Sequence, residues 1–298
     1  MYTSYKTPLL AITACLLWST AFAGIKIGLP YTTPLLFAGI RFLCAGLILI
    51  PFWGSYKHNL FLFPRRTLTV FAIAFFQIFL LYMLFYLGME RVSGATGAVI
   101  IGASPLFTAL ISRMYSKKEK LTYIKLFAIA TGTTGIALIS LEGNLTTSFD
   151  IFEYWSGIVM LVACVVASSI GNIIVHYRDT GITPVALNSM QIFLGGAMLL
   201  ITSLIFEGSP HISFSLDWAL SLIWLTVMSA IAFSLWFYLL RQKGILVSNL
   251  NLWKFLIPVC GAFLSWLLIP GESPGPFSFC GMAIVAVSVL GFYIKVEV

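Results

Sequence analysis

Long apolar runs dominate this chain, with no sustained alternation and no heptad pattern. Ten segments of about membrane-spanning length are read at 8–28, 33–52, 67–88, 94–114, 121–141, 154–175, 184–205, 216–240, 247–268 and 276–294. Pro30, Pro51, Gly143, Asn144, Pro210 and Gly271 punctuate the gaps between them. The gaps are short, and no soluble domain or low-complexity tail is read between them. A backbone that spends this much of its length in lipid must pair its peptide groups within each segment, which predicts helices throughout. The expected fold is all-α, a polytopic membrane protein. At the start of the chain, Lys6, an apolar run and Ala21-Phe22-Ala23 imitate a signal peptide. The run is long enough for a full span, so it is read as a retained first helix.

Composition supports lipid as the solvent. The chain has 298 residues, 60% hydrophobic and 9% charged, with a mean hydropathy of +1.00. A soluble domain carries about 25% charged residues. The net charge of +7 would suggest nucleic acid in a soluble protein, but here the cations sit in short loops. Placing the N-terminus in the cytoplasm puts thirteen basic residues inside: Lys6, Lys57, Arg65, Arg66, Arg113, Lys117, Lys118, Lys120, Lys125, Arg178, Arg241, Lys243 and Lys295. Only Lys26 and Arg91 then lie outside, while Glu90, Glu142, Asp150, Glu153, Glu207, Asp217 and Glu272 gather there. This positive-inside bias predicts that both termini are cytoplasmic. Cys15, Cys44, Cys164, Cys260 and Cys280 all lie in apolar runs without a CxxC, which argues against a disulfide framework or a metal site. No cofactor is expected.

The two halves, 1–145 and 146–298, echo each other. Pro105 precedes Glu119 by fourteen positions, and Pro258 precedes Glu272 by the same interval. Arg41 to Gly46 matches Gln191 to Gly196, each in the second segment of its half. Five helices is an odd number, so the second half enters the membrane from the opposite side. The expectation is two inverted five-helix repeats, an arrangement common in secondary transporters.

Several motifs then line up in order. Leu17-Trp18-Ser19-Thr20-Ala21-Phe22 precedes Ile25-Lys26-Ile27-Gly28-Leu29. Pro34-Leu35 is followed by Ile40-Arg41-Phe42, and Ser93 to Ala95 by Ser104-Pro105-Leu106-Phe107-Thr108-Ala109. Ser248, Pro258-Val259 and Gly271-Glu272 come last. Together these resemble the EamA-type proteins of the drug/metabolite transporter superfamily over nearly the whole chain. The resemblance implies ten helices with both termini inside, and mostly export of amino acids and other metabolites across bacterial inner membranes. Some members import, S-adenosylmethionine carriers among them. The chain departs from the pattern at Lys118-Glu119-Lys120, at Ser273-Pro274-Gly275-Pro276 and at Ile257, where an acidic residue is usual. These departures bear on substrate class.

Polar and aromatic residues inside the spans are the candidates for solute contact. Lys254 lies about 10 Å into its span at 1.5 Å per residue. Two readings stand for it: a charge partner for a substrate carboxylate, or a cation that snorkels to the interface. Asn251, one turn earlier on the same face, would donate a hydrogen bond beside it. Ser168, Asn172 and His176 recur every four residues and share one face of the sixth span. Asn172 is the cavity candidate of the three, and His176 an interface residue. Trp18, Tyr82, Tyr86 and Trp236 fall in the first, third and eighth spans, which the resemblance places around a central cavity. Gln77 of the third span is either a solute ligand or an interhelical hydrogen-bonding group. The resemblance puts Arg41 on a peripheral helix, where it reads as structural and bonds helix-end carbonyls. Gly24 with Gly28, and Ser93 with Gly97, space small residues for close helix approach. Pro105 and Pro258 leave carbonyls free and are candidate hinges.

These features point to a secondary transporter that exports a small polar metabolite, an amino acid or related compound, by alternating access. Uptake or exchange is the alternative within the class. No Walker motif is present, and coupling to protons or exchange stays open, as does the oligomeric state. A membrane enzyme on lipid-linked substrates would need clustered His, Asp or Glu, whereas the histidines are only His58, His176 and His211, with no HExxH. The expected partners are a small-molecule solute and the lipid bilayer, with no nucleic acid.

Overall fold

The computed structural model describes residues 6–89, 91, 100–101, 104–118, 120–141, 151–208, 212–268 and 276–296. The positions Glu90, Ser93, Gly97, Glu119, Glu142, Asn144, Pro210, His211 and Glu272 lie outside them. Among the described residues the chain is helical, with one isolated antiparallel bridge between Thr32 and Ile212. The helices are α1 (Lys6–Gly28), α2 (Pro34–Ile48), α3 (Tyr56–Ala74), α4 (Leu80–Met89), α5 (Ser104–Tyr115) and α6 (Tyr123–Leu141). They continue as α7 (Ile151–Tyr177), α8 (Pro184–Phe206), α9 (Leu216–Leu240), α10 (Val247–Leu252), α11 (Leu256–Leu268) and α12 (Pro276–Val296). Six described helical stretches are long and apolar enough to cross a membrane: Lys6–Ile25, Pro34–Phe52, Tyr56–Met89, Phe152–Tyr177, Pro184–Phe206 and Leu216–Leu240. Their outward faces carry exposed Leu68, Phe71, Ile201, Ile205, Ile223 and Ile231, an apolar surface suited to lipid.

The third span differs from its expected limits. It begins at Tyr56, not at residue 67, and runs to Met89. Its first turns are polar, with Arg65 and Arg66, and the Arg65 guanidinium lies 4.2 Å over the Phe61 ring. A hydropathy window sees where the apolar stretch starts, not where the helix starts. Inside this span, Phe75–Phe79 form a π-helical turn between α3 and α4. Two glycines allow it. A Cβ on Gly195 would sit 2.4 Å from Ile78 Cβ, and one on Gly171 would sit 2.5 Å from Gln77 Cγ.

The chain forms two compact units, each drawing on both sequence halves. The first comprises 1–83 and 170–245, and the second 84–169 and 246–298. In the first unit α2 packs along α8, and α1 along α9. Glycines set the α2–α8 approach reciprocally. A Cβ on Gly46 would meet Phe193 N at 2.8 Å, and a Cβ on Gly196 would meet Leu43 N at 2.6 Å. The expected close approach at Gly24 and Gly28 is present, because a Cβ on Gly28 would lie 2.6 Å from Ser221 Oγ of α9.

Both α2 and α8 begin at a Thr-Pro pair, where the missing proline N–H costs nothing. Groups elsewhere in the unit bond to both starts. The Glu207 carboxylate accepts from Thr33 Oγ1 (2.6 Å), Leu35 N (2.8 Å), Leu36 N (3.1 Å) and Ser203 Oγ (2.6 Å). At the start of α8, Thr183 N donates to Asn59 Oδ1 at 3.1 Å, and Asn59 Nδ2 donates to Trp53 O and Thr183 Oγ1, both at 3.1 Å. A carboxylate at a helix N-terminus is further favoured by the helix dipole.

In the second unit α6 packs along α12, and α5 against α10. A Cβ on Gly135 would meet Gly281 O at 2.7 Å, so these backbones nearly touch. Thr108 and Ser169 hydroxyls bond at 2.8 Å across α5 and α7. Lys125, read on the cytoplasmic side at the start of the segment 121–141, lies in the first turn of α6. It is buried, and its Nζ donates to Ser248 Oγ at 2.6 Å.

Candidate functional site

The first unit gathers five of the predicted site residues. Asn172, near the end of α7, is buried, and its Oδ1 accepts from Gln77 Nε2 at 2.8 Å and from Trp236 Nε1 at 3.1 Å. Two N–H donors on one oxygen fix the orientation of the amide. Trp236 of α9 meets Trp18 of α1 edge-on, with ring centroids 5.2 Å apart. Trp18 makes a second edge contact with Phe233 at 5.2 Å. Phe233 lies 6.3 Å from Phe42, and Phe42 lies 4.6 Å from Tyr82. An unbroken chain of aromatic rings thus leads from the Asn172 amide to Tyr82. Edge-to-face pairs of this kind contribute about 0.5–1.5 kcal/mol each beyond area burial.

Gln77 reaches Asn172 from the π-helical turn. A π-turn adds a residue to one turn of helix, so it re-aims the side chains it contains, and such turns favour functional positions. Gly171 leaves room for the Gln77 stem beside it. The polar stripe expected on α7 resolves into separate roles. Asn172 joins the cluster, and His176 Nδ1 meets the Leu240 carbonyl. Ser168 is half-buried, while the neighbouring Ser169 is the residue that bonds Thr108.

Arg41 differs from its expectation in its partner. It is buried within α2, which packs against α8 and α9. Its Nε donates to Ser229 Oγ of α9 at 2.9 Å, not to helix-end carbonyls. Its guanidinium carbon lies 4.5 Å from the Phe42 centroid and 5.6 Å from that of Tyr82. Sequence reading missed Arg41, Phe42, Ser229 and Phe233 as members of this cluster. The usable signal was Arg41 itself, a cation inside an apolar run.

The other candidates belong to the second unit. Tyr86 is buried and meets Phe85 edge-on at 5.7 Å. Asn251 is fully buried, and its Nδ2 donates to Val247 O at 2.9 Å within its own helix. Lys254 is half-buried in a 3-10 turn, Trp253–Phe255, that joins α10 to α11. Pro258 follows that turn as the third residue of α11, and Pro105 is the second residue of α5. The helix break expected at Pro258 is therefore the 3-10 turn. Among the described residues no group of three or more His, Cys, Asp or Glu is placed to hold a metal ion.

Outside the spans, Asp179 in the turn before α8 accepts from Gly181 N at 3.0 Å and from Arg241 Nη2 at 2.7 Å. The backbone bond first, and the Arg241 bond and charge second, hold its carboxyl below the usual carboxylate range.

The sequence profile of the EamA-like transporter family matches residues 6–141 and 155–294. The chain belongs to the EamA-like transporter family. Several relatives carry transporter names. It is 29% identical to the "Uncharacterized transporter sll0355" of Synechocystis sp., covering 96% of this chain and 89% of that one. It is 26% identical to the "Uncharacterized transporter YoaV" of Bacillus subtilis, with 88% of each covered. The "Uncharacterized inner membrane transporter YedA" of Escherichia coli K12 is also 26% identical, over 92% of this chain and 86% of that one. A solved crystal structure superposes with a TM-score of 0.82 over 97% of this chain and 96% of that chain, at 18% identity, and so shares the fold. This EamA protein is thus a multi-pass membrane transporter. In its first unit the Asn172 amide links Gln77 to Trp236.

Proposed function

We propose that this EamA protein carries a small polar metabolite, an amino acid or related compound, across the bacterial inner membrane by alternating access, in the direction of export. The observation that carries the reading is the cluster of Trp18, Gln77, Tyr82, Asn172 and Trp236. It offers aromatic faces beside a tightly oriented amide, the lining expected of a small-molecule site. Two inverted five-helix repeats with cytoplasmic termini complete the reading. Support comes from the reciprocal glycine contacts of α2 and α8, Gly46 on Phe193 and Gly196 on Leu43, in which each glycine and its partner map onto the other pair by a shift of 150 residues. The loop charge bias supports the orientation. Lys254 and Asn251 of the second unit are proposed solute contacts, and Tyr86 a wall residue. Pro105 and Pro258 are proposed hinges, supported at Pro258 by the 3-10 turn before it.

A metabolite screen in proteoliposomes tests this reading. Labelled amino acids and related metabolites should equilibrate across membranes containing the protein and not across empty ones. Flux of none of them, in protein that is folded by size exclusion, contradicts it. Exchange or uptake uses the same cycle, and counterflow against a preloaded solute separates these from net export.

A further inference from the structure

Arg41 has chemistry that helix packing does not use. The residue is 1% exposed, and Nε–H is taken by Ser229 Oγ at 2.9 Å. Ser229 donates its own proton to Leu225 O at 2.6 Å, so its oxygen is held as an acceptor toward Arg41. Nη1 and Nη2 are buried and make no hydrogen bond to any described residue. No described carboxylate forms an ion pair with them. The Phe42 and Tyr82 rings, both part of the aromatic chain that leads to Trp18 and Trp236, lie against the guanidinium. The equivalent position in α8 is the neutral Gln191, so a helix can pair here without a cation.

We propose that Arg41 is the anion receptor of this transporter and binds the carboxylate of a small organic solute end-on through Nη1 and Nη2. With Nε engaged by Ser229, the side-on fork is closed and the end-on pair is what the guanidinium presents to two carboxylate oxygens. One guanidinium offers a single positive charge, which a monocarboxylate balances and a phosphate dianion exceeds. Aromatic walls beside the charge suit an acid with an apolar body over a strongly hydrated inorganic ion. The proposal deepens the transport reading and rests on it, since a guanidinium this deeply buried is reached only when a carrier opens.

The test compares acids with their neutral amides: phenylacetate against phenylacetamide, and butyrate against butyramide. Full-length wild type, Arg41→Met, Arg41→Lys and Ser229→Ala are titrated in detergent and read by tryptophan fluorescence and thermal shift. Wild type should prefer at least one acid over its amide by about tenfold or more, the effect of a charge-assisted bidentate pair. Arg41→Met should abolish the preference while leaving the amide's affinity unchanged. Arg41→Lys should keep a reduced preference, and Ser229→Ala should weaken it by releasing Nε. The proposal is overturned if wild type prefers no acid, if the preference survives in Arg41→Met, or if phenyl phosphate binds more tightly than phenylacetate. Where Arg41→Met does not fold, Arg41→Lys and Ser229→Ala decide, and wild-type preference in both overturns it. Flux separates the two claims. Equal acid flux in wild type and Arg41→Met removes Arg41 and leaves the transport reading. An acid preference without flux of any solute removes the transport reading and leaves the receptor.

Discussion

Helices α2 and α8 are built alike at their ends and where they touch, and unlike in their middles. Each starts at Thr-Pro, and each lays a glycine against the other's backbone, Gly46 on Phe193 and Gly196 on Leu43. Between those points, Arg41 reaches across to Ser229 of α9, while Gln191 donates to Asn188 of its own helix at 3.0 Å. The difference teaches which features packing dictates. Backbone approach tolerates no side chain, so both helices carry glycine there. A mid-helix polar group answers only to its own neighbours, so the two helices can carry different chemistry.

The comparison breaks most visibly at the glycines. Gly196→Val and Gly46→Val each drive a Cβ into backbone that cannot turn aside. Each should cost about 3 kcal/mol or more, at the upper end of overpacking effects, and most purified protein should be lost. Near-equal losses in detergent melts support the reciprocity, and tolerance of one but not the other breaks it. The helix starts come next. Glu207→Ala strands the Leu35 and Leu36 N–H groups and should cost about 2–3 kcal/mol, whereas Asn59→Ala, losing neutral bonds, should cost about 1–2 kcal/mol. Melting temperatures in the reverse order would show that the carboxylate is not the stronger cap.

The smallest effect is expected at Asp179. Its carboxyl pKa is lowered on folding, so it adds stability above its ordinary range, and that stability is lost as pH falls through the lowered value. Because its side chain is 86% exposed, the whole effect should stay below about 1 kcal/mol. Asp179→Asn should therefore lower the melting temperature slightly at neutral pH and not at all in strong acid. A loss that persists in acid would assign the effect to the turn geometry at Gly181, whose φ is 69°.

Six of the spans were legible in the chain because lipid imposes long apolar runs, and a polar interruption such as Asn172 is conspicuous within one. The π-turn at Phe75–Phe79 was not legible. It changes the helical register by one residue without changing hydropathy, and only the facing Gly171 and Gly195 mark it. The burial of Arg41 was hidden for a related reason. An isolated segment does not say how many neighbours cover it, and α2 has α8 and α9 on it. The burial of Lys125 against Ser248 was hidden because a residue 123 positions away supplies its partner. Partition into compact units is illegible in principle, since each unit takes residues from both halves.

The Asn172 amide carries the central claim, because it joins Gln77 of the π-turn to Trp236 in one hydrogen-bonded group. The direct measurement is solute flux in proteoliposomes carrying matched amounts of wild type and Asn172→Leu, for a metabolite the wild type transports. Leucine keeps the volume and removes both bonds that the amide oxygen accepts. Flux should fall about tenfold or more, as expected for stranding two buried donors at a binding site, while the size-exclusion profile stays monodisperse. Wild-type flux through Asn172→Leu would contradict the account and place the solute elsewhere.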